Sequence, residues 1–186
     1  MTGPSHIVVG IASSVSYSLY SGVSPSAAHF LVLLVGSLAP DIDGGGSITR
    51  PGTILRRFFP WRIVKIFDSF GLALGAIVQS FTSHRGFFHW PILALFMIFG
   101  GLVFDRLWLF WFGLGYLSHI LADFFTKGGV PMLAPISLER RNLTSFKSGS
   151  WIEACFSFWL FVYSVVYGWQ FLPQGVRESF IRVSEI

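Results

Sequence analysis

The sequence predicts an all-α, multi-pass membrane protein with about five spanning helices and one interfacial or partly inserted helix. The 186-residue chain is 53% hydrophobic, its mean hydropathy is +0.65, and it contains 21 Phe and 7 Trp. This is more apolar and aromatic surface than a soluble core requires. Successive apolar runs, separated by short polar segments, follow one another along the chain. The length suits one domain over residues 1–186.

The charge pattern favours a membrane over nucleic acid as the partner. The net charge is +4 and the pI is near 9.6, but the basic residues lie between the apolar runs. Such a distribution is typical of the positive-inside bias of membrane proteins, so no nucleic acid is expected. The single cysteine, Cys155, excludes an internal disulfide and lies in an apolar run. No Lys or Arg precedes the first run, so we expect no cleaved signal peptide.

The first two apolar runs, 7–20 and 27–39, predict a helical hairpin. Each is roughly 22 Å long as a helix, slightly short of the ~30 Å hydrocarbon core. The first run is rich in serine, which lets helices approach closely in lipid. The hairpin returns the chain to its starting face at 40–46.

A basic connection and a short apolar run come next. Residues 44–65 are rich in glycine and carry five basic residues. The run 70–81 has only a dozen residues, which favours an interfacial or partly inserted helix over a full span.

The second half of the chain contains the longest apolar runs. Residues 87–104 form a span in which Pro91 suits a first helical turn. Residues 107–125 return across the membrane, and 126–150 form a polar segment. The run 152–172 is the clearest spanning helix in the sequence.

Four polar clusters lie at the ends of these runs and fall on one face if 70–81 does not cross. That face then carries ten of the thirteen Lys and Arg residues: Arg50, Arg56, Arg57, Arg62, Lys65, Arg85, Lys127, Arg140, Arg141 and Lys147. The other three are Arg106, Arg177 and Arg182. The skew predicts that the clusters face the cytoplasm.

His119 and Asp123 are four residues apart on a predicted helix, so both project from one face. Ionisable groups at membrane depth are costly and usually functional, so the pair is a candidate for metal binding. The alternative is a hydrogen-bonded pair that holds two helices together.

Asp41 and Asp43 flank Ile42 before three glycines, where the backbone can bend both carboxylates towards one cation. The alternative is a solvated turn. His6 begins the first run and lies beside this turn if the first two helices pair; the alternative is an interfacial or capping residue. His29 is twelve residues from Asp41, roughly 18 Å along a helix, and is left out.

His84 and His89 are five residues apart and would not share one face of a continuous helix. With Gly86 between them and Pro91 after them, a bent start of the helix brings both inward. Arg85 presents a planar donor fork that matches phosphate oxygens. Its alternative role is to reach lipid headgroups at the interface.

In their order along the chain, these motifs resemble the YdjM-like family of membrane-bound, metal-dependent hydrolases. The resemblance covers about residues 5–136, although Ala134 stands where the family often has tryptophan. The matching pieces are Ser5-His6 with Gly10, Pro40-Asp41-Ile42-Asp43, His84-Arg85-Gly86-Phe87-Phe88-His89, Ser118-His119 with Asp123, and Gly128-Gly129-Val130 ahead of Pro135.

The candidate ligands exceed what one tetrahedral ion needs and suit one or two ions. They are His6, Asp41, Asp43, His84, His89, His119 and Asp123. Imidazole and carboxylate ligands favour zinc, with manganese or iron as alternatives. The resemblance implies hydrolysis by metal-activated water, and the leading substrate is a phosphoester in a lipid or another membrane-associated molecule. Arg85 would stabilise charge on the phosphate. The next substrate class is an ester or amide bond in a lipid. The alternative functions are an ion or metal transporter and a metal-stabilised regulator without turnover.

Overall fold

The structure, a computed structural model, describes residues 1–43, 59–81 and 85–172, together with Arg56 and Arg177. These ranges contain no strand, and the all-α prediction is confirmed for them. The helices are α1 (Gly3–Ser21), α2 (Ala27–Gly36), α3 (Trp61–Phe81), α4 (Pro91–Val103), α5 (Leu107–Phe124) and α6 (Trp151–Gly168). Three short 3-10 turns, Ala39–Asp43, Phe87–His89 and Trp169–Phe171, lie between or after them.

Helix α5 is the centre of the bundle, because glycines let its neighbours come into backbone contact. A Cβ added at Gly115 of α5 would lie 2.1 Å from the carbonyl oxygen of Leu33 on α2. One added at Gly101 of α4 would lie 2.5 Å from the backbone nitrogen of Phe110. Small residues at such crossings are the usual means of close helix packing in membranes. Helix α5 thus packs against α1, α2 and α4, while α1 also packs against α6.

Two helical segments among the described residues are long and apolar enough to cross a membrane. They are α5, with 18 residues, and Trp151–Phe171, with 21 residues, which joins α6 to the 3-10 turn that follows it. Helices α2 and α4 are apolar but only 10 and 13 residues long, or about 15 and 20 Å. Helix α1 has 19 residues, and its serines lower its hydropathy. The prediction of five spans is therefore not confirmed.

Helix α3 begins at Trp61, nine residues before the predicted start at residue 70. The Pro60 carbonyl accepts the N–H groups of Ile63 and Val64, which starts the helix there. The sequence predicts Arg62 and Lys65 in the basic connection 44–65, whereas both lie within the helix. On the helix they alternate with exposed apolar residues. Helix α3 is amphipathic, with its charged residues in the first eight positions, and it packs against the Ala39–Asp43 turn.

Other helix ends differ from the predicted ones where a side chain bonds to the helix backbone or where a proline lacks the N–H group. Helix α2 ends at Gly36, before the predicted limit of 39, because the Ser37 hydroxyl donates to the Leu34 carbonyl and Pro40 has no N–H. The predicted run 87–104 begins as a 3-10 turn and becomes α-helical only at Pro91. Bridges between Thr126 and Phe146 and between Val130 and Arg141 organise the polar segment that follows α5.

Candidate metal centre

The polar residues of α5 lie in its second half, where three other elements meet it. His119 and Asp123 are on the same face, as their spacing predicts, and they are 0% and 1% exposed. His6 comes from the first turns of α1, Asp41 from the Ala39–Asp43 turn and His89 from the Phe87–His89 turn. Five of the seven predicted ligands thus come together inside the protein.

His119 is held in a fixed orientation by the backbone of α2. Its Nδ1 lies 2.8 Å from the Ser37 carbonyl oxygen, so Nδ1 carries the proton and donates to that oxygen. The lone pair is then on Nε2, which lies 3.6 Å from Asp41 Oδ1 and has no hydrogen-bond donor among the described residues. A histidine whose second nitrogen donates to a carbonyl is the usual arrangement of a metal ligand.

His6 stacks on His119, with ring centroids 3.6 Å apart. Its Nε2 lies 3.5 Å from Asp123 Oδ1. Both ring nitrogens of His6 are buried and lack a hydrogen-bond partner among the described residues. A buried polar group without a partner is costly in a protein interior. Coordination of a metal ion is one way to satisfy it.

His89 is the third histidine of the cluster. Its Nε2 is 3.7 Å from Asp123 Oδ2, and its ring centroid is 5.3 Å from that of His119. The hydroxyl of Tyr116, one turn before His119 on α5, donates to the carbonyl of Phe88. This bond ties the Phe87–His89 turn to α5 and so fixes where His89 enters the site.

Two groups of three residues have ligand atoms that lie within 4.8 Å of one another: His6, Asp41 and His119, and His89, His119 and Asp123. The separations of 3.5–3.7 Å between neighbouring ligand atoms are close to the edge of a tetrahedron with bonds of 2.0–2.1 Å, about 3.3 Å. Imidazole nitrogens and carboxylate oxygens are also the donors that zinc accepts. The residues therefore fit a transition-metal ion.

Asp41 lies at the rim of this cluster, with 14% of its side chain exposed. Burial raises the pKa of the Asp41 carboxyl, against the opposing effect of His6. The amino group of Met1 donates to Asp123 Oδ1.

Arg85 lies at the same rim, in contact with Asp123. One guanidinium nitrogen is 2.9 Å from Asp123 Oδ2, and the other terminal nitrogen donates to the Gly129 carbonyl at 3.3 Å. A Cβ at Gly128 would lie 1.6 Å from that second nitrogen, so the lack of a side chain there leaves room for the guanidinium. The side chain is 12% exposed, and its buried Nε has no hydrogen-bond partner among the described residues.

Two predicted ligands lie outside what the structure describes. His84 falls in the range 82–84, and for Asp43 the backbone of the turn is described but the side chain is not. His29 is separate from the cluster, as predicted, and its Nδ1 bonds with Ser26 Oγ at 3.0 Å.

Two parts of the site were not found from the sequence. The Ser37 carbonyl leaves no sequence signal, because any residue could present it. Gly128 was identified only as part of a motif, and nothing in the motif indicated that a guanidinium lies against it.

The YdjM inner membrane protein family model matches residues 1–175 of the chain. No curated protein and no solved structure matches it.

Proposed function

The chain belongs to the YdjM inner membrane protein family, and from that premise we propose that it is a metal-dependent hydrolase of a lipid phosphoester. The observation that carries the proposal is the buried cluster of three histidines and two aspartates. Within it, both nitrogens of His6 and the Nε2 of His119 lack hydrogen-bond partners among the described residues. Apolar packing does not explain such a cluster, whereas metal binding does.

The geometry favours one ion over two. His119 belongs to both groups of candidate ligands, but its Nδ1 is occupied by the Ser37 carbonyl. Only Nε2 retains a lone pair, and one lone pair binds one ion. The two groups are therefore alternative descriptions of a single centre, with His6, Asp41, His89, His119 and Asp123 around it. Three imidazoles and two carboxylates favour zinc, with manganese or iron next.

Zinc in such a site supplies Lewis-acid chemistry: it activates water at neutral pH and polarises a phosphoryl oxygen. The chain's own residues supply the rest. Asp41 and Arg85 are the partly exposed members of the site, at 14% and 12%, so the substrate approaches past them. Arg85 holds Asp123 with one terminal nitrogen, and its guanidinium, 12% exposed at the rim, would stabilise negative charge on a phosphate.

The site also supports a proposal for the topology. Asp41 and Arg85 both reach the same end of α5, so the chain between them starts and finishes at one membrane face. Helix α3 can cross only once, so a crossing by it would need a second crossing between Asp41 and Arg85 to end at the same face. We therefore propose that α3 lies in the interface. The spans are then α1, α2, α4, α5 and α6, with the ten basic residues of the site face in the cytoplasm.

Headgroup release from phospholipid vesicles tests the proposal. The detergent-purified full chain, loaded with zinc, is expected to release a phosphate-containing headgroup, and chelation is expected to stop release until zinc is restored. His119→Ala removes a central ligand and should abolish release. His29→Ala is the matched control, because His29 lies outside the cluster.

The other outcomes identify the alternative functions. Zinc-dependent ion flux in proteoliposomes without headgroup release would indicate a transporter. Bound zinc with neither flux nor release would indicate a metal-stabilised regulator. Either result would contradict the hydrolase proposal.

A further inference from the structure

Glu153 is a buried carboxylate that none of the metal-site contacts involves. It lies in the first turn of α6 and is 2% exposed. A charge in such a position is costly unless donors surround it. Its hydrogen-bond partners therefore indicate its role.

The two oxygens of Glu153 accept four hydrogen bonds. Oε1 accepts from the Thr2 backbone nitrogen at 2.7 Å, from the Thr2 hydroxyl at 2.8 Å and from the Ser5 hydroxyl at 2.5 Å. Oε2 accepts from the Gly149 backbone nitrogen at 2.9 Å. Three of the four donors thus come from the start of α1.

The local needs of α6 account for only part of this arrangement. Ser150 and Glu153 have the spacing of a capping box, and the Ser150 hydroxyl caps α6 by accepting from the Glu153 backbone nitrogen. The contact with Gly149 also lies within this turn. Capping of α6 gives no reason for Oε1 to bind Thr2 and Ser5, about 150 residues earlier in the chain.

Helix α1, in contrast, lacks a cap of its own. Thr2 is its N-cap residue, but the Thr2 side chain makes no capping bond within α1. Free N–H groups at a helix start require an acceptor. Glu153 accepts one of these groups, the Thr2 N–H, together with the Thr2 and Ser5 hydroxyls, so a carboxylate of α6 ties down the first turn of α1.

His6 follows directly after Ser5 in this turn. Neither of its ring nitrogens has a hydrogen-bond partner among the described residues, and its ring stacks on His119. No hydrogen bond to its own ring therefore sets the direction of His6, whereas the Ser37 carbonyl orients His119. The placement of His6 depends on the backbone of α1, which Glu153 holds.

We infer that Glu153 is a positioning residue of the metal centre, which directs His6 towards the ion through Ser5 and Thr2. The inference rests on the proposed metal centre. Residues that orient metal ligands without touching the metal typically change affinity about 10- to 100-fold when they are replaced.

Zinc affinity of the detergent-purified full chain tests the inference. Glu153→Gln keeps the size of the side chain, but it removes the charge and turns one acceptor oxygen into a donor. We expect its zinc dissociation constant to rise about 10- to 100-fold. Glu139→Gln is the matched control, because it makes the same change at a carboxylate whose side chain is 69% exposed. Its affinity should equal that of the wild type.

The visible absorption of the cobalt-substituted protein separates positioning from simple helix pairing. At saturating cobalt, a change in the geometry of His6 alters the ligand-field bands. A purely structural Glu153 would lower thermal stability but leave the spectrum of the saturated site unchanged. We expect altered bands in Glu153→Gln and wild-type bands in Glu139→Gln.

Two milder variants keep the test decisive if Glu153→Gln does not fold. Ser5→Ala and Thr2→Val each remove one hydroxyl donor, and both should weaken zinc binding in the same direction. Where Glu153→Gln folds, adding Ser5→Ala to it should lower the zinc affinity little further, because the bond between residues 5 and 153 is already lost. The inference would be overturned if folded Glu153→Gln had the zinc affinity and the cobalt spectrum of the wild type. It would also be overturned if Ser5→Ala and Thr2→Val both did. A wild-type protein that binds no zinc would instead contradict the proposed metal centre.

Discussion

The imidazole rings of His6 and His119 are stacked, with their centroids 3.6 Å apart and their planes at 10° to one another. The stack directs the two Nε2 atoms to different carboxylates, at 3.5 Å from Asp123 for His6 and 3.6 Å from Asp41 for His119. Helices α1 and α5 thus meet through potential ligands at this level of the bundle.

Replacement of His6 by phenylalanine separates packing from coordination. His6→Phe keeps an aromatic ring against His119 but removes both nitrogens, which have no other partner among the described residues. We expect zinc affinity to fall at least about 100-fold, or ~2.7 kcal/mol, while the metal-free protein keeps its melting temperature. Isothermal titration and thermal unfolding in detergent measure the two quantities. Equal zinc affinity in His6→Phe and wild type would exclude His6 as a ligand.

Gly128 leaves room for the guanidinium of Arg85, and our proposal assigns Arg85 to the substrate. Arg85→Lys keeps the charge but loses the planar fork, and a Cβ in Gly128→Ala would lie 1.6 Å from a guanidinium nitrogen and displace it. Both variants should keep zinc and lower turnover at least about tenfold, or ~1.4 kcal/mol. Gly100→Ala is the control, because its added Cβ would come no closer than 3.5 Å to a neighbour. Turnover within about twofold of wild type in both variants would exclude Arg85 from the reaction.

Gly115 holds α5 in backbone contact with α2. In Gly115→Ala the added Cβ would lie 2.1 Å from the Leu33 carbonyl oxygen, and no rotamer change relieves a backbone clash. We expect a loss of about 1–3 kcal/mol in the free energy of unfolding, and weaker zinc binding, because His119 lies one turn further along α5. Chemical unfolding in detergent, with Gly100→Ala for comparison, measures the loss. An unchanged stability would show that the helices do not pack this closely.

The unequal distribution of Lys and Arg between the two membrane faces predicts that two serines lie on opposite sides of the membrane. With five spans, Ser47 lies in the cytoplasm and Ser184 outside it. Single cysteines at these positions, in a background where the exposed Cys155 is replaced by serine, can be labelled with an impermeant reagent in intact cells. We expect labelling at residue 184 only. Labelling of both positions from one side would contradict an odd number of spans.

The sequence predicted those features of the fold that depend on one segment at a time. Apolar runs located the six α-helices of the described residues, because a helix in lipid must be apolar over most of its length. The four-residue spacing of His119 and Asp123 placed both on one buried face. The start of α3 was missed because Arg62 and Lys65 break the apolar run, although charges are compatible with a helix that has an exposed polar side.

Features that depend on contacts between segments were not predictable. The Ser37 carbonyl that orients His119 is a backbone group, and its role depends on how α2 meets α5. The role of Glu153 leaves no sequence signal, since the first turn of α1 that it binds is distant in sequence. The sequence did not decide whether the site binds one metal ion or two. The hydrogen bond from His119 to the Ser37 carbonyl favours a single ion.

The zinc content of the purified wild-type protein tests the central claim most directly. Elemental analysis of the full chain, after removal of loosely bound ions, should give one zinc ion per chain, because His119 offers a single lone pair. The same measurement on His119→Ala should give none, while His29→Ala should keep one. Two ions per chain would contradict the single centre, and a wild-type protein that retains no transition metal would contradict the metal centre itself.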